Sequence, residues 1–228
     1  MISSVPFTRE QFLGVFADYN LGVWPAQIGL VAIALIVVSL VFLDRFAWSG
    51  RAIAGLLAAL WLWMGVVYHG LYFTAINPMA WGFAALFVVQ ALALALAAAG
   101  DRLHPELRGD LSGVLGLVLI GYALVVYPLL GQLSDHAYPR SPTFGLPCPT
   151  TIFGFGVVLL DRERPPIWLL IVPSAWALIG STAAFGFGIH EDLGLVAALL
   201  LASGTWIREA RRAKGRLTSR ANDATLRR

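Results

Sequence analysis

The sequence is poor in what a soluble domain needs. Only 13% of its 228 residues are charged, against about 25% in typical soluble domains. No polar stretch is long enough to form a separate soluble domain. A single cysteine, Cys148, excludes an internal disulfide and a zinc knuckle built on cysteine pairs. Lysine is almost absent: 15 of the 16 basic residues are arginine, and the only lysine is Lys214. A retinal Schiff base needs a lysine in the last span, and Lys214 lies beyond it. There is no GxxxxGK[ST] phosphate loop and no GxSxG elbow. No basic domain supports nucleic-acid binding. Met1 to Asn20 lacks the basic start and long apolar core of a secretory signal.

What the chain has instead is apolar length, with 58% hydrophobic residues. The fold class is therefore an all-α polytopic membrane protein. Apolar runs place spans near Trp24–Leu43, Ala52–Phe73, Ala80–Ala99, Leu111–Leu130, Thr150–Leu160, Ile167–Phe185 and Leu193–Ile207, about seven in all. Pro173 predicts a kink in the sixth. Of the 16 basic residues, 14 fall on one set of loops and the C-terminal tail; Arg9 and Arg140 are the exceptions. The positive-inside rule then predicts N-terminus out and C-terminus in. Residues 1–207 read as one membrane domain, and 208–228 as a basic cytoplasmic tail. That tail suits anionic headgroups and is predicted to lose order from Thr218 onward. The first 23 residues read as an amphipathic helix lying on the membrane or on the bundle. Thr8 and Gln11 form a capping box, Phe7 and Phe12 a hydrophobic staple, and Phe12, Val15, Phe16 and Tyr19 share a face.

The unusual stretch is Thr143-Phe-Gly-Leu-Pro-Cys-Pro-Thr-Thr151, inside a run with no charge between Arg140 and Asp161. Hydropathy draws it into the bilayer, yet Pro147 and Pro149 flank Cys148. The expectation is that no helix passes this pair, so span 5 is broken or re-entrant and restarts at Thr150 or Thr151 as N-cap. That leaves about 15 Å of helix for a hydrocarbon core of about 30 Å. Irregular backbone at that depth belongs where protein buries it or water reaches it. The short spans 5 and 7 would then aim their N-termini at an outward vestibule suited to an anion or polar solute.

On the predicted topology, Tyr68-His69, Asp135-His136, Cys148 and His190-Glu191-Asp192 all face outward. Two readings of these residues stand side by side. In the first, Thr143, Phe144, Gly145, Cys148, Thr150, Thr151, Glu191 and Asp192 line a path for a small solute or ion. In the second, His69, His136, Cys148 and His190, with Glu191 or Asp192, hold a transition metal. The second has no HxxxH, CxxC or HExxH spacing behind it. Each residue also has an ordinary alternative: a helix-packing hydrogen bond for His69, a filler role for Cys148, a cap for Asp192, a dipole partner for Glu191.

The blocks Pro6-Phe-Thr-Arg-Glu-Gln-Phe-Leu13, Tyr68-His69 through Ile76-Asn-Pro78, His136-Ala-Tyr-Pro139, Pro142 through Thr151 and Glu191-Asp-Leu-Gly194 resemble an uncharacterised bacterial membrane family, domain-of-unknown-function family 6064. The resemblance runs from about Pro6 to about Ile207, and it is densest in the proline–cysteine block. It implies a multi-pass protein of the bacterial inner membrane and brings no catalytic residues. Some relatives carry a transporter-permease label, which implies transport. The expectations are thus transport or permeation through an outward site, a membrane-embedded metal or haem protein, or an accessory or sensor subunit. An enzymatic role is the less favoured. A homo-oligomer is open to such a chain.

Overall fold

The computed structural model describes residues 6–43 and 46–226, with side chains as far as Arg211. Residues 1–5, Arg45, Arg227 and Arg228, and the side chains of Arg212, Lys214, Arg216 and Arg220, lie outside that description. So do the start of the expected N-terminal segment and much of the basic tail.

Among the described residues the chain is helical and forms no strand. Helix α1 (Arg9–Gly22) starts as its sequence requires. The Thr8 backbone N–H donates to Gln11 Oε1 at 2.8 Å, and the Gln11 N–H donates to Thr8 Oγ1 at 3.2 Å. Phe7 stacks on Phe12 with ring centroids 5.6 Å apart. The α1 face carrying Phe12, Val15, Phe16 and Tyr19 is buried against the bundle.

Six helical stretches are long and apolar enough to cross a membrane. They are α2 (Ala26–Leu43); α3 (Ser49–Trp63) with its π-helical continuation Met64–Tyr72; α4 (Ala80–Ala99); α5 (Leu111–Gly121) continued through the π-helix Tyr122–Val126 into α6 (Tyr127–Leu133); α8 (Trp168–Gly180) with α9 (Thr182–Phe187); and α10 (Leu193–Leu226) with the 3₁₀ turn His190–Asp192 before it. Large apolar side chains such as Ile28, Leu62, Leu96, Val118, Leu178 and Leu200 point outward. With few charges between them, this exterior is compatible with a membrane protein. α8 runs on through Pro173. The interruption comes at Ser181, where the hydroxyls of Ser181 and Thr182 donate back to Leu178 and Ile179 carbonyls and compete with the helical ladder. α10 stays helical past Thr218 to Leu226, where the sequence predicts loss of order.

Helix α7 (Pro147–Leu159) corrects the expectation for span 5. It does not restart at Thr150; Pro147 is its first residue and Pro149 lies within its first turn. The first N–H groups of a helix have no intrahelical partner, so prolines there sacrifice nothing, and a fixed φ suits the start. Thr150 is already inside the helix, its N–H donating to the Leu146 carbonyl at 3.3 Å. The irregular backbone therefore precedes the prolines. At 13 residues α7 rises about 20 Å, and it occupies the centre of the bundle. Pro149 to Phe153 and Phe155 to Val157 are all buried, as expected of a helix apolar on every side.

α7 sits at the centre because α5 lets it approach closely. A Cβ on Gly156 would lie 2.8 Å from the Gly116 carbonyl oxygen and 3.0 Å from the Ile120 nitrogen. A Cβ on Gly116 would lie 2.7 Å from the Gly156 carbonyl oxygen. These are backbone atoms and cannot swing aside, the pattern of small-residue helix contacts in membranes. Gly156→Ala is therefore expected to cost about 1–3 kcal/mol, seen as a lower thermal midpoint in detergent. A wild-type midpoint would mean that the two helices can part without penalty.

The end of the bundle beyond α7 is tied by Asp161. Its carboxylate accepts from the His104 N–H at 2.8 Å and the Glu163 N–H at 2.9 Å, while Arg108 donates to its backbone carbonyl. Burial pushes this carboxyl up to about 6. Arg108 also meets Asp110 at 2.7 Å and Glu209 at 3.2 Å, and the Arg164 guanidinium lies 4.4 Å from the Trp206 ring centre.

Candidate functional site

The opposite end is built on the irregular segment 134–146, and the residue that shapes it is Asn20. Fully buried in the last turns of α1, its side-chain amide donates to the Pro139 carbonyl at 2.7 Å and the Ser141 carbonyl at 2.9 Å. Its Oδ1 accepts from the Thr143 hydroxyl at 2.7 Å and from Gln27 Nε2 at 3.2 Å. Both donors and both acceptor positions of the amide are thereby used. Tyr19 accepts from Trp63 Nε1 at 2.7 Å and reaches the Gly145 carbonyl at 3.4 Å. Gly145 has φ +98°, and Leu30 Cδ1 lies 2.4 Å from where its Cβ would stand; both the conformation and the space call for glycine. The Gly145 N–H donates to Thr150 Oγ1 at 3.0 Å. Residues 139–145, which lead into the prolines that begin α7, are thus a folded loop clamped by α1.

Next to it the acidic pair enters the interior. Glu191 and Asp192 are each 1% exposed. Glu191 Oε1 lies 2.9 Å from His136 Nε2, and His136 Nδ1 lies 3.1 Å from Asp135 Oδ1. Arg9 holds both Asp135 oxygens at 2.8 and 2.9 Å and donates to the Phe187 carbonyl at 2.7 Å. The series Arg9–Asp135–His136–Glu191 runs from the surface inward. With a carboxylate oxygen at each nitrogen, a doubly protonated ring can donate both ways. The bond to Glu191 holds the His136 pKa above the ordinary histidine value, against the opposing pull of burial. The bond from His136, then that from Arg9, holds Asp135 below the usual carboxylate range.

Asp192 accepts from the Tyr127 hydroxyl at 2.5 Å, and the Cys148 thiol lies against the same carboxylate. Tyr122 donates to the Glu191 carbonyl at 2.8 Å. The two tyrosines meet because the helix between them is a π-helix, in which bonding from i to i+5 brings residues five apart toward one face. Their rings lie 6.2 Å apart. The π-helix after α3 does the same for Tyr68 and Phe73, stacked at 5.7 Å. Aromatic pairs five apart were the available sequence signal for both segments, and a 3.6-residue periodicity passes over it.

Beside this carboxylate lies a cavity of about 250 Å³, between α1, the π-helical end of α3, the start of α4, residues 142–148, α8 and α9. Its wall includes Phe7, Phe12, Phe16, Tyr68, Phe73 and Trp176, with Cys148 among the lining residues.

The structure treats the sequence candidates unequally. Cys148, Glu191 and Asp192 lie together, but of the path residues only Cys148 lines the cavity. Thr143, Gly145 and Thr150 are engaged in holding the loop. Phe144 packs on Phe153 at 5.4 Å, and Thr151 is buried with its hydroxyl unpartnered. The expected fan of free amide donors at the start of α7 is not there, since Pro147 and Pro149 carry no N–H. The four metal candidates are not brought together, and among the described residues no three His, Cys, Asp or Glu side chains form a metal-ligand group. His136 is engaged by two carboxylates, His190 is exposed, and His69 is enclosed by rings. His69 is fully buried with neither ring nitrogen hydrogen-bonded, among Phe73, Phe83, Phe87 and Trp176 at centroid distances from 4.6 to 5.9 Å. Asn20, Tyr127, Trp176 and the Arg9–Asp135 pair were missed as site residues. Their partners lie too far along the chain for any spacing to point to them.

A family model described as a family of unknown function (DUF6064) matches residues 9–216. No curated protein and no solved structure matches the chain.

Proposed function

The chain belongs to the DUF6064 family, a family of unknown function, and from that premise we propose that it carries a small solute or ion through a site at the outer face of the bacterial inner membrane. In this reading the chain crosses seven times, α7 being the short crossing, with the N-terminus out and the C-terminus in. The distribution of arginines supports that orientation. The basic tail then lies along anionic headgroups on the inner side.

One observation carries the reading. Glu191 and Asp192 are both buried where a membrane-length helix begins, and ionisable groups in such positions default to functional roles. Glu191 connects to the surface through His136 and Asp135, while Asp192 faces Tyr127 and Cys148 next to the cavity. This arrangement suits coupling of solute movement to a proton: His136 can take up or release one toward the exposed Asp135, and the charge of the pair alters with it.

The test uses the full chain in vesicles enclosing a pH-sensitive dye, under an inward proton gradient. A panel of aromatic ketones, short carboxylates and polyols is added one at a time. At least one solute is expected to raise the rate of acidification at least tenfold over protein-free vesicles, and Glu191→Gln to abolish that increase. No response to any member, or the same response from the Glu191→Gln protein, overturns the proposal.

A further inference from the structure

The cavity beside Cys148 suits an apolar guest. Phe7, Phe12, Phe16, Phe73, Phe83 and Phe187 make up much of its wall, and among the described residues no charged side chain lines it. Its polar groups are largely turned to their own neighbours. The Trp176 N–H is directed at the Cys148 sulfur. The Thr182 hydroxyl donates to the Ile179 carbonyl at 2.6 Å, and Asn77 Oδ1 accepts from the Met79 N–H at 3.1 Å. A buried water needs about two to four polar partners, and the Tyr68 hydroxyl alone does not supply them. Apolar cavities of about 150 Å³ stay dry and take up guests such as benzene; this one holds about 250 Å³. Left empty, it would forfeit packing contacts over its whole wall.

The position of the mouth says what fills it. Met79, Ile179 and Thr182 line the cavity and are exposed, beside the start of α4 and the junction of α8 and α9. Their neighbours Trp81, Leu178 and Phe185 are exposed as well, so the opening gives onto apolar exterior. Its depth follows from helix lengths. The 20 residues of α4, which begins next to Met79, rise about 30 Å, the thickness of a hydrocarbon core. α9 continues beyond Ile179 and Thr182 as far as Phe187. The mouth therefore starts at the edge of the hydrocarbon and extends below it, where lipid chains leave their ester groups.

We infer that the cavity holds one acyl chain of a membrane phospholipid, which enters between the start of α4 and the α8–α9 junction and reaches toward Cys148 at the start of α7. A hydrocarbon chain fills such a space without burying a polar atom, and it is the apolar material that meets the mouth. A sugar or an amino acid would leave its polar groups unpaired against this wall. The chain is a resident of the bundle and not the solute carried, so the inference goes beyond the transport reading and does not rest on it.

The test places the full chain in vesicles of phosphatidylethanolamine and phosphatidylglycerol, doped with a phosphatidylglycerol that carries a photoreactive diazirine in one acyl chain. After illumination, peptide mass spectrometry locates the adducts. Wild type is expected to carry adducts on wall residues such as Phe73, Phe83 and Cys148, beside those on outward residues such as Leu62 and Leu96. Ala183→Phe fills the cavity from its wall and should lower the wall adducts at least tenfold while the outward adducts keep their yield. Ala183→Leu, a smaller plug, should act in the same direction and guards against a variant that fails to fold. Adducts confined to outward residues in wild type overturn the inference, as do wall adducts that persist undiminished in both variants. A two-chain mass in native mass spectrometry, with Met79 and Ile179 free of adducts, overturns it in favour of a second copy covering the mouth. Wall adducts without any solute-driven acidification sink the transport reading alone, and acidification that needs Glu191, without wall adducts, sinks this inference alone.

Discussion

Glu191→Ala is expected to destabilise the protein by about 3–5 kcal/mol, the usual cost of removing one member of a buried ion pair. The substitution leaves the His136 ring, 1% exposed, with one nitrogen facing an empty site. Exposed pairs such as Arg140 with Glu10 are screened by water and offer no such lever. His136→Ala and the double variant complete the cycle, and the double variant should lose clearly less than the sum of the two singles. The pH dependence has a fixed sign. The folded-state pKa of His136 is raised, so the stability it contributes is fully present below the unfolded value of about 6.5 and is lost as pH rises through the folded value. The gap in thermal midpoint between wild type and Glu191→Gln should therefore be widest below about pH 6.5 and narrow at higher pH. A gap that widens with rising pH, or does not change, would rule out an imidazolium in the pair.

Asn20→Ala is the second large effect. The side-chain amide serves two backbone carbonyls, one hydroxyl and Gln27. Truncation leaves the two carbonyls and the Thr143 hydroxyl without this partner, at about 1–3 kcal/mol each, while Gln27 keeps its 2.9 Å bond to the Asn20 backbone carbonyl. A total of roughly 3–5 kcal/mol is expected once the loop relaxes. Segment 134–146, no longer clamped, should also become accessible. Limited proteolysis after Tyr138 or Arg140 is expected to be much faster in Asn20→Ala, while the far end around Asp161 keeps its wild-type protection. Asn20→Asp sets a second carboxylate oxygen against the Pro139 and Ser141 carbonyls and should destabilise at least as much as Asn20→Ala. A wild-type proteolysis pattern in Asn20→Ala would assign the clamp to Tyr19 and Gly145 instead.

These two positions mark the line between what was legible in the chain and what was not. The capping box at Thr8 and Gln11, the staple of Phe7 on Phe12 and the extents of the apolar helices were readable because each depends on residues within a few positions of one another or on summed hydropathy. The start of α7 was misplaced although every residue of it was in view. Pro147 and Pro149 break a helix interior yet begin a helix without penalty, and whether they stand inside or at the start depends on where the preceding loop is tied. That tie is Asn20, whose carbonyl partners are 119 and 121 residues away.

The histidines teach the same lesson from the other side. A shared outward face grouped His69, His136 and His190 as candidate ligands of one ion. In the folded chain His69 stands among rings, His136 between Asp135 and Glu191, and His190 in the open. A face is a coarse position, and ligation needs side chains within a few ångströms of one point. The sequence by itself determined a helical, apolar chain with several helices long enough to cross a membrane, a capped N-terminal helix and asymmetric basic loops, because hydropathy, capping and charge distribution are properties of neighbouring residues and of composition. The tertiary structure alone decided which polar groups meet, which helix takes the centre and where a cavity remains, because a buried donor must find its acceptor wherever the packing of other helices has left one.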